Sequence, residues 1–163
     1  MVATSPSTRR LQPFAYVLFG GLIAGSLDIL YAGMFWAVKA GVPAQRILQS
    51  VAAGLLGPAS FQGGAATAAL GLVLHYLIAT TMSVTYFLAA SRYPALHRRP
   101  VLSGAAYGLL LYGIMNYVVV PLSAAGRGSR DPLWVALSVV VHMLCVGVPI
   151  ALAARRASSG RLA

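Results

Sequence analysis

Residues 14–38 of this chain read FAYVLFGGLIAGSLDILYAGMFWAV, a run of 25 residues in which Asp28 is the only charged side chain. At a helical rise of about 1.5 Å per residue, a helix of this length exceeds the ~30 Å thickness of the hydrocarbon core of a bilayer. The run therefore predicts a transmembrane helix with a carboxyl group near its middle. A carboxylate in lipid is costly and is seldom kept without a partner.

Three more uncharged apolar runs follow, and each is long enough to cross a bilayer: residues 65–90, 101–122 and 133–154. The chain has 163 residues, of which 59% are hydrophobic and only 9% are charged. A soluble domain of this size carries about a quarter charged residues. We therefore predict an all-α fold, a polytopic membrane protein built as a bundle of four transmembrane helices that contact the lipid bilayer.

The remaining segments divide the chain into one domain and two tails. Residues 1–12 and 156–163 are polar and are predicted to be disordered cytoplasmic tails around a single transmembrane domain, residues 13–155. Residues 43–56 begin with a proline and place Ile47, Leu48, Val51, Leu55 and Leu56 at helical spacing, opposite a polar face that includes Gln49. This segment predicts a short interfacial helix on the outer face, with a re-entrant dip into the bundle as the alternative.

The net charge is +10 at pH 7, and the positions of the positive charges along the chain indicate the membrane topology. The positions before the first run, between the second and third, and after the fourth hold eight of the twelve Lys and Arg residues, and the opposite side holds Lys39, Arg46, Arg127 and Arg130. The positive-inside rule then places both termini in the cytoplasm and the protein in a bacterial inner membrane. Because the cations lie between the spans, we do not expect nucleic acid as a partner.

The spans place polar side chains at one depth. Asp28, His75, Tyr112 and His142 each lie nine or ten residues from the outer end of their span, which corresponds to ~14–15 Å. Asn116 lies one turn closer to the outside. We therefore predict a buried polar layer near the midplane in which Asp28 meets His75 or His142.

Glycines repeat at helical spacing on the same faces as these polar groups. Such small-xxx-small seams allow helix backbones to approach closely. The predicted helix-packing residues are Gly21, Gly25, Gly71, Gly104 and Gly108.

Three interpretations of the polar layer remain open. It could be structural, with hydrogen bonds that fix the register of the helices at ~0.6–2 kcal/mol per contact. It could respond to protons or ions, because an imidazole changes its charge near neutral pH. It could also hold a cofactor, with His75 and His142 as candidate ligands of a b-type haem or, together with Asp28, of a divalent metal.

Enzyme motifs are missing from the sequence. There is no P-loop, no GxSxG and no acidic cluster, and the single cysteine, Cys145, excludes an intramolecular disulfide and a CxxC motif. We assign no catalytic residue and no metal site and leave the cofactor open, and we expect a non-enzymatic protein, either a homo-oligomer or an accessory subunit of a membrane complex. The third histidine, His97, lies in a basic connection and is expected to be solvated.

Several short pieces of the chain resemble the YagU-like family of small bacterial inner-membrane proteins. They are GLIAG at 21–25, HYLI at 75–78, GAAYG at 104–108, PLW at 132–134 and VH at 141–142, with Tyr86, Met115 and Pro121 at the expected places. The resemblance implies a small multi-spanning fold and an inner-membrane location, and it implies no reaction. The chain departs from the family pattern in its shorter connection after the first span and in having Asp28.

Overall fold

The structure is a computed structural model that describes the backbone of residues 6–126 and 128–159 and the side chains of residues 13–126 and 128–158. Within these ranges the chain is helical and contains no strand. Four helices are long and apolar enough to cross a membrane, and they span Pro13–Ala40, Gly64–Arg92, Pro100–Leu122 and Pro132–Ser158. The prediction of an all-α, four-span membrane bundle is confirmed.

The helices are numbered in chain order. Helix α1 is Pro6–Ala40, α2 is Ala44–Leu56 and is followed by a 3-10 turn over Gly57–Gln62, α3 is Gly64–Arg92, and α4 is the short Ala95–Arg98. Helix α5 is Pro100–Leu122, and α6 has three parts, which are Pro132–Val141, His142–Gly147 and Val148–Ser159. The four spans alternate in direction, so one end of the bundle carries Lys39 and the other carries Arg92. These are called the Lys39 end and the Arg92 end.

Both predicted tails are partly helical. Helix α1 begins at Pro6, and residues 1–5 lie outside the described residues. Helix α6 continues to Ser159, and residues 160–163 lie outside them as well. The prediction of a disordered segment from residue 156 is therefore wrong for residues 156–159, because Ala157 continues the buried small-residue face of α6 and is fully covered.

The hydrophobic core lies towards the Arg92 end. Its side chains come from α1, α3, α5 and the second and third parts of α6, and small alanines of α6 allow the other helices to approach it. Tyr86 of α3 and Tyr107 of α5 pack there with ring centroids 5.0 Å apart, and the Tyr107 hydroxyl donates to the carbonyl of Met82. The core members are Val17, Ala24, Tyr86, Phe87, Ala90, Leu111, Val146, Ile150, Ala151, Ala154 and Ala157.

Four of the five predicted packing glycines lie where two backbones approach closely, and at the fifth, Gly25, the near atoms belong to side chains. A Cβ added at Gly21 would lie 2.8 Å from the Cα of Thr80, and one added at Gly104 would lie 2.7 Å from the carbonyl oxygen of Gly147. Added atoms at Gly71 and Gly108 would overlap the carbonyl oxygens of Leu48 and His142. Gly25 is less tight, with Ala79 Cβ 3.0 Å away.

Two spans contain a π-helical segment, Met115–Val119 in α5 and His142–Gly147 in α6. Each segment immediately precedes a turn with a proline, Pro121 and Pro149 respectively. A proline has no N–H and its ring clashes with the carbonyl four residues earlier, so the preceding turn widens to relieve both effects. The two wide turns carry Asn116 and His142, and such π segments occur frequently at functional sites.

Helix α2 buries two alanines and one glutamine against the bundle. Gln49, Ala52 and Ala53 are buried, and Gln49 Nε2 donates to the carbonyl of Gly64 and to Thr67 Oγ1 at 3.0 and 3.2 Å. Leu55 and Leu56 are exposed instead. The sequence assigned Gln49 to the polar face of this helix, and the structure buries it, because in a membrane bundle leucines can face lipid while an amide needs a protein partner.

The other end of α1 is tied to the start of α6. The Asp131 carboxylate caps α6 by accepting from the backbone N–H of Trp134 at 2.9 Å, and it forms an ion pair with Lys39. The hydrogen bond with Lys39 and then that with Trp134 hold the pKa of Asp131 below its usual value of 3.8. This carboxylate lies outside the spans, on the surface.

Acid should remove the contribution of this cap. Because the pKa of Asp131 is lower in the folded than in the unfolded protein, its charge stabilises the fold above pH 3.8, and that stabilisation is lost as the pH falls through the lower, folded value. We expect Asp131→Asn, which keeps the cap but loses the ion pair, to melt slightly below wild type at pH 6. The two melting curves should converge below pH 3.8. A constant difference across this range would contradict the assignment.

Candidate functional site

A cavity of about 590 Å³ lies among the four spans and extends towards the Lys39 end. Helix α2 and the connection between α5 and α6 form its wall at that end. Its lining includes every member of the predicted polar layer, which are Asp28, His75, Tyr112, Asn116 and His142. Ligand pockets commonly have volumes of about 300–1,000 Å³. The cavity can therefore hold a small organic molecule.

Among the described residues of the polar layer, Asp28 and His142 are the carboxylate and imidazole that lie side by side. The His142 Nδ1 atom lies 3.7 Å from Asp28 Oδ1, which is close enough for an ion pair but too long for a hydrogen bond. Both side chains are mostly buried, with 16% and 26% of their surfaces exposed for His142 and Asp28. In the described part of the chain no hydrogen bond reaches the Asp28 carboxylate.

The hydrogen bonds of the two histidines indicate their tautomers. His142 Nδ1 lies 2.9 Å from the carbonyl oxygen of Ser138, and His75 Nε2 lies 2.8 Å from that of Gly25. A carbonyl oxygen can only accept, so each of these nitrogens carries the proton. In the neutral form His142 therefore has Nε2 open to take up a proton. Uptake would place an imidazolium beside the Asp28 carboxylate.

His75 does not join the Asp28 pair. Its imidazole reaches across to α1 through the Gly25 carbonyl, one turn before Asp28, and its ring lies edge-on to Tyr76 at 5.7 Å. Of the two histidines that the sequence offered as neighbours of Asp28, His142 is the one that lies beside it. The absence of a side chain at Gly25 opens the approach for α3, so the packing glycine and the histidine contact depend on each other.

Tyr112 and Asn116 complete the layer on α5. The ring of Tyr112 lies perpendicular to the His142 imidazole, with centroids 5.4 Å apart. Asn116 Nδ2 donates to the carbonyl of Tyr112 at 3.0 Å, which satisfies one of the backbone groups left by the wide turn. Tyr112 therefore packs on the same imidazole that faces Asp28.

A chain of contacts links His142 to the aromatic cluster at the Lys39 end. Ser138, whose carbonyl accepts from His142, places its hydroxyl 3.3 Å from that of Tyr31. The Tyr31 ring stacks on Trp134 at 5.2 Å, with 7° between the planes. Trp36 packs against Trp134 at 5.4 Å. Since the chain has two tryptophans and both line the cavity, they report on it directly.

Sequence reasoning missed two contributions to the cavity. Arg46 of α2 lines it and lies over the ring of Phe61 at 4.8 Å, and Trp36 and Trp134 line it although their position near span ends suggests interfacial anchors. A signal for Arg46 was present in the sequence, because the amphipathic segment that became α2 carries this single cation between two spans. His97 is also different from expectation, because it is half-buried and its Nε2 lies 3.2 Å from Ser158 Oγ.

The two histidines were also candidate cofactor ligands. A haem held by both would need one nitrogen of each ring aimed at a common iron, and the hydrogen bonds leave Nδ1 of His75 and Nε2 of His142 for that purpose. Across residues 13–126 and 128–158, no three side chains of the His, Cys, Asp or Glu type cluster at metal-binding distance. A metal bound at the polar layer would therefore need amide, hydroxyl or backbone ligands as well.

Comparison with known proteins adds no assignment. No protein-family model matches the chain, and neither a curated protein nor a solved structure matches it.

Proposed function

We propose that the protein is a bacterial inner-membrane protein that binds a small solute in the cavity between its spans and responds to protons through the Asp28–His142 pair. The observation that carries the proposal is the pair itself, a carboxylate and an imidazole 3.7 Å apart on the wall of a 590 Å³ cavity. A purely structural pair would be expected to close into a hydrogen bond and exclude space around it. This pair does neither.

The surroundings of the pair support a response to pH. Tyr31 from α1, His75 from α3, Tyr112 from α5 and Arg46 from α2 are the other titratable or charged groups that line the same cavity. Of these, His75 is the one whose residue type, like His142, changes charge between about pH 5 and 8. Protonation of His142 creates an ion pair with Asp28, whereas its neutral form leaves the carboxylate without a cationic partner.

Intrinsic fluorescence tests this proposal. We expect the emission of the purified protein to change reversibly between pH 5 and 8, because Trp134 stacks on Tyr31, and the Tyr31 hydroxyl lies 3.3 Å from the hydroxyl of Ser138, the residue whose carbonyl bonds His142. Asp28→Asn should abolish most of the change, and His97→Gln, which alters a histidine outside the cavity, should leave it intact. A wild-type emission that is independent of pH would contradict the proposal.

We also propose a membrane orientation. The eight-to-four distribution of Lys and Arg supports cytoplasmic termini, and in that orientation the Lys39 end faces the outside. We propose no reaction for the protein, and membership of a YagU-like family and association as an oligomer or accessory subunit stay predictions. The alternative is a haem- or metal-binding redox protein. The absorption spectrum of the purified protein distinguishes the haem case, because a haem protein would show a Soret band and a solute-binding protein would not.

A further inference from the structure

We infer that the solute is an organic monocation with an aromatic or alkyl body, and that it exchanges with the proton on the Asp28–His142 pair. The inference rests on the proposed function and specifies the ligand of the same cavity. It is carried by the state of the Asp28 carboxylate, by the aromatic walls and by the mutual exclusion of two cations.

The unmet charge of the cavity is negative. Asp28 is mostly buried, and within the described residues its carboxylate accepts no hydrogen bond. Arg46, the cation of the cavity wall, is exposed, and its guanidinium already lies over the ring of Phe61. Its charge is therefore solvated and has a contact of its own. A carboxylate taken from water without donors is strongly destabilised unless a cation or donor joins it. A ligand therefore gains most by bringing a positive charge to Asp28.

Aromatic side chains form part of the cavity wall. Tyr31, Trp36, Phe61, Tyr112 and Trp134 all line the cavity. Cations within about 6 Å of such rings are attracted by them, and quaternary ammonium groups are recognised in this way. Two cations of the chain use this contact at the same end, namely Lys39 over Phe35 at 5.5 Å and Arg46 over Phe61 at 4.8 Å. A bare metal ion would leave most of the 590 Å³ unfilled.

A proton and the organic cation compete for the same carboxylate. When His142 takes up a proton at Nε2, its imidazolium becomes the cationic partner of Asp28 at 3.7 Å. The same positive charge repels a second cation at that carboxylate. The neutral imidazole leaves the carboxylate available. The exchange balances in charge: the Nε2–H bond of the imidazolium breaks and its proton passes to water as one organic cation enters. Affinity for the cation should therefore fall by up to about tenfold per pH unit as the pair becomes protonated.

The test uses the full chain in detergent and benzyltrimethylammonium as the probe, with quenching of Trp36 and Trp134 as the readout. We expect saturable quenching at pH 8 that weakens at least tenfold at pH 5. Phenylacetate, an aromatic anion of similar size, and toluene, an uncharged aromatic molecule, should not compete with the probe. Equal competition by toluene would show an apolar or lipid site, and stronger binding of phenylacetate would show an anion site centred on Arg46. Either result overturns the inference.

Matched variants locate the binding. Asp28→Asn should lose at least tenfold in affinity for benzyltrimethylammonium, whereas Asp131→Asn, which removes the other acidic side chain of the sequence, should bind as wild type does. If Asp28→Asn does not fold, Tyr31→Leu against Tyr31→Phe tests the aromatic wall, and only the leucine variant should weaken binding. A protein whose fluorescence responds to pH through Asp28 but that never binds the probe would refute the cation inference and leave the proton response standing.

Discussion

Gly108→Ala is expected to lower the free energy of unfolding by about 1–3 kcal/mol, the cost of overpacking a close contact. The added methyl would overlap the carbonyl oxygen of His142 and lie 2.7 Å from the Cα of Met143. These are backbone atoms, so no side chain can rotate to relieve the contact, and α5 and α6 must separate. The melting temperature in detergent measures the loss.

Gly113→Ala on the same helix is the matched control. A Cβ added at Gly113 has nothing within 4 Å. Replacing a helical glycine by alanine then gains roughly 0.5–1 kcal/mol from the lower entropy of the unfolded chain. We therefore expect Gly113→Ala to melt at or above the wild-type temperature. If both variants melted alike, α5 would not approach α6 at Gly108, and the packing described for the cavity wall would be incorrect.

The second large effect is the loss of the pH response on neutralising either member of the Asp28–His142 pair. Asp28→Asn keeps the shape of the side chain but removes its charge, and His142→Gln removes the titrating ring. We expect each variant alone to abolish most of the pH-dependent fluorescence change. The double variant should lose no more than either single variant, because groups that act as one unit have non-additive effects.

His75→Gln is the informative comparison for the pair. His75 lines the same cavity, but its imidazole is bonded to the Gly25 carbonyl and not to Asp28. We expect this variant to keep the pH response and to melt at a lower temperature, because it loses a contact between α3 and α1. Losses that simply add across Asp28, His75 and His142 would indicate three independent groups.

Much of the fold could be predicted from the sequence because length and hydrophobicity define membrane helices without knowledge of their packing. The glycine seams were also visible, since a glycine repeated on one face has few other uses in a span. The helical structure of residues 6–12 and 156–159 could not be predicted. Polar composition alone does not reveal, for example, that Ala157 continues a buried face. The wide turns before Pro121 and Pro149 depend on how neighbouring helices accommodate a missing hydrogen bond.

The candidate site was only partly predictable. Counting residues placed Asp28, His75 and His142 at one depth, but depth does not determine which side chains meet. That choice depends on helix rotation and on the approach that Gly25 allows to His75. The cavity itself could not be derived, because it results from helices that pack tightly at the Arg92 end and leave room beside α2. Arg46 enters the site only through that helix.

The coupling of His142 to Asp28 is tested most directly by NMR of the protein labelled with ¹⁵N in its three histidines. The account predicts that the His142 ring signal changes between pH 5 and 8, and that its titration curve differs in Asp28→Asn. The signal of His97, at the other end of the bundle, should titrate identically in both proteins. A His142 titration curve that is unchanged by Asp28→Asn would contradict the account.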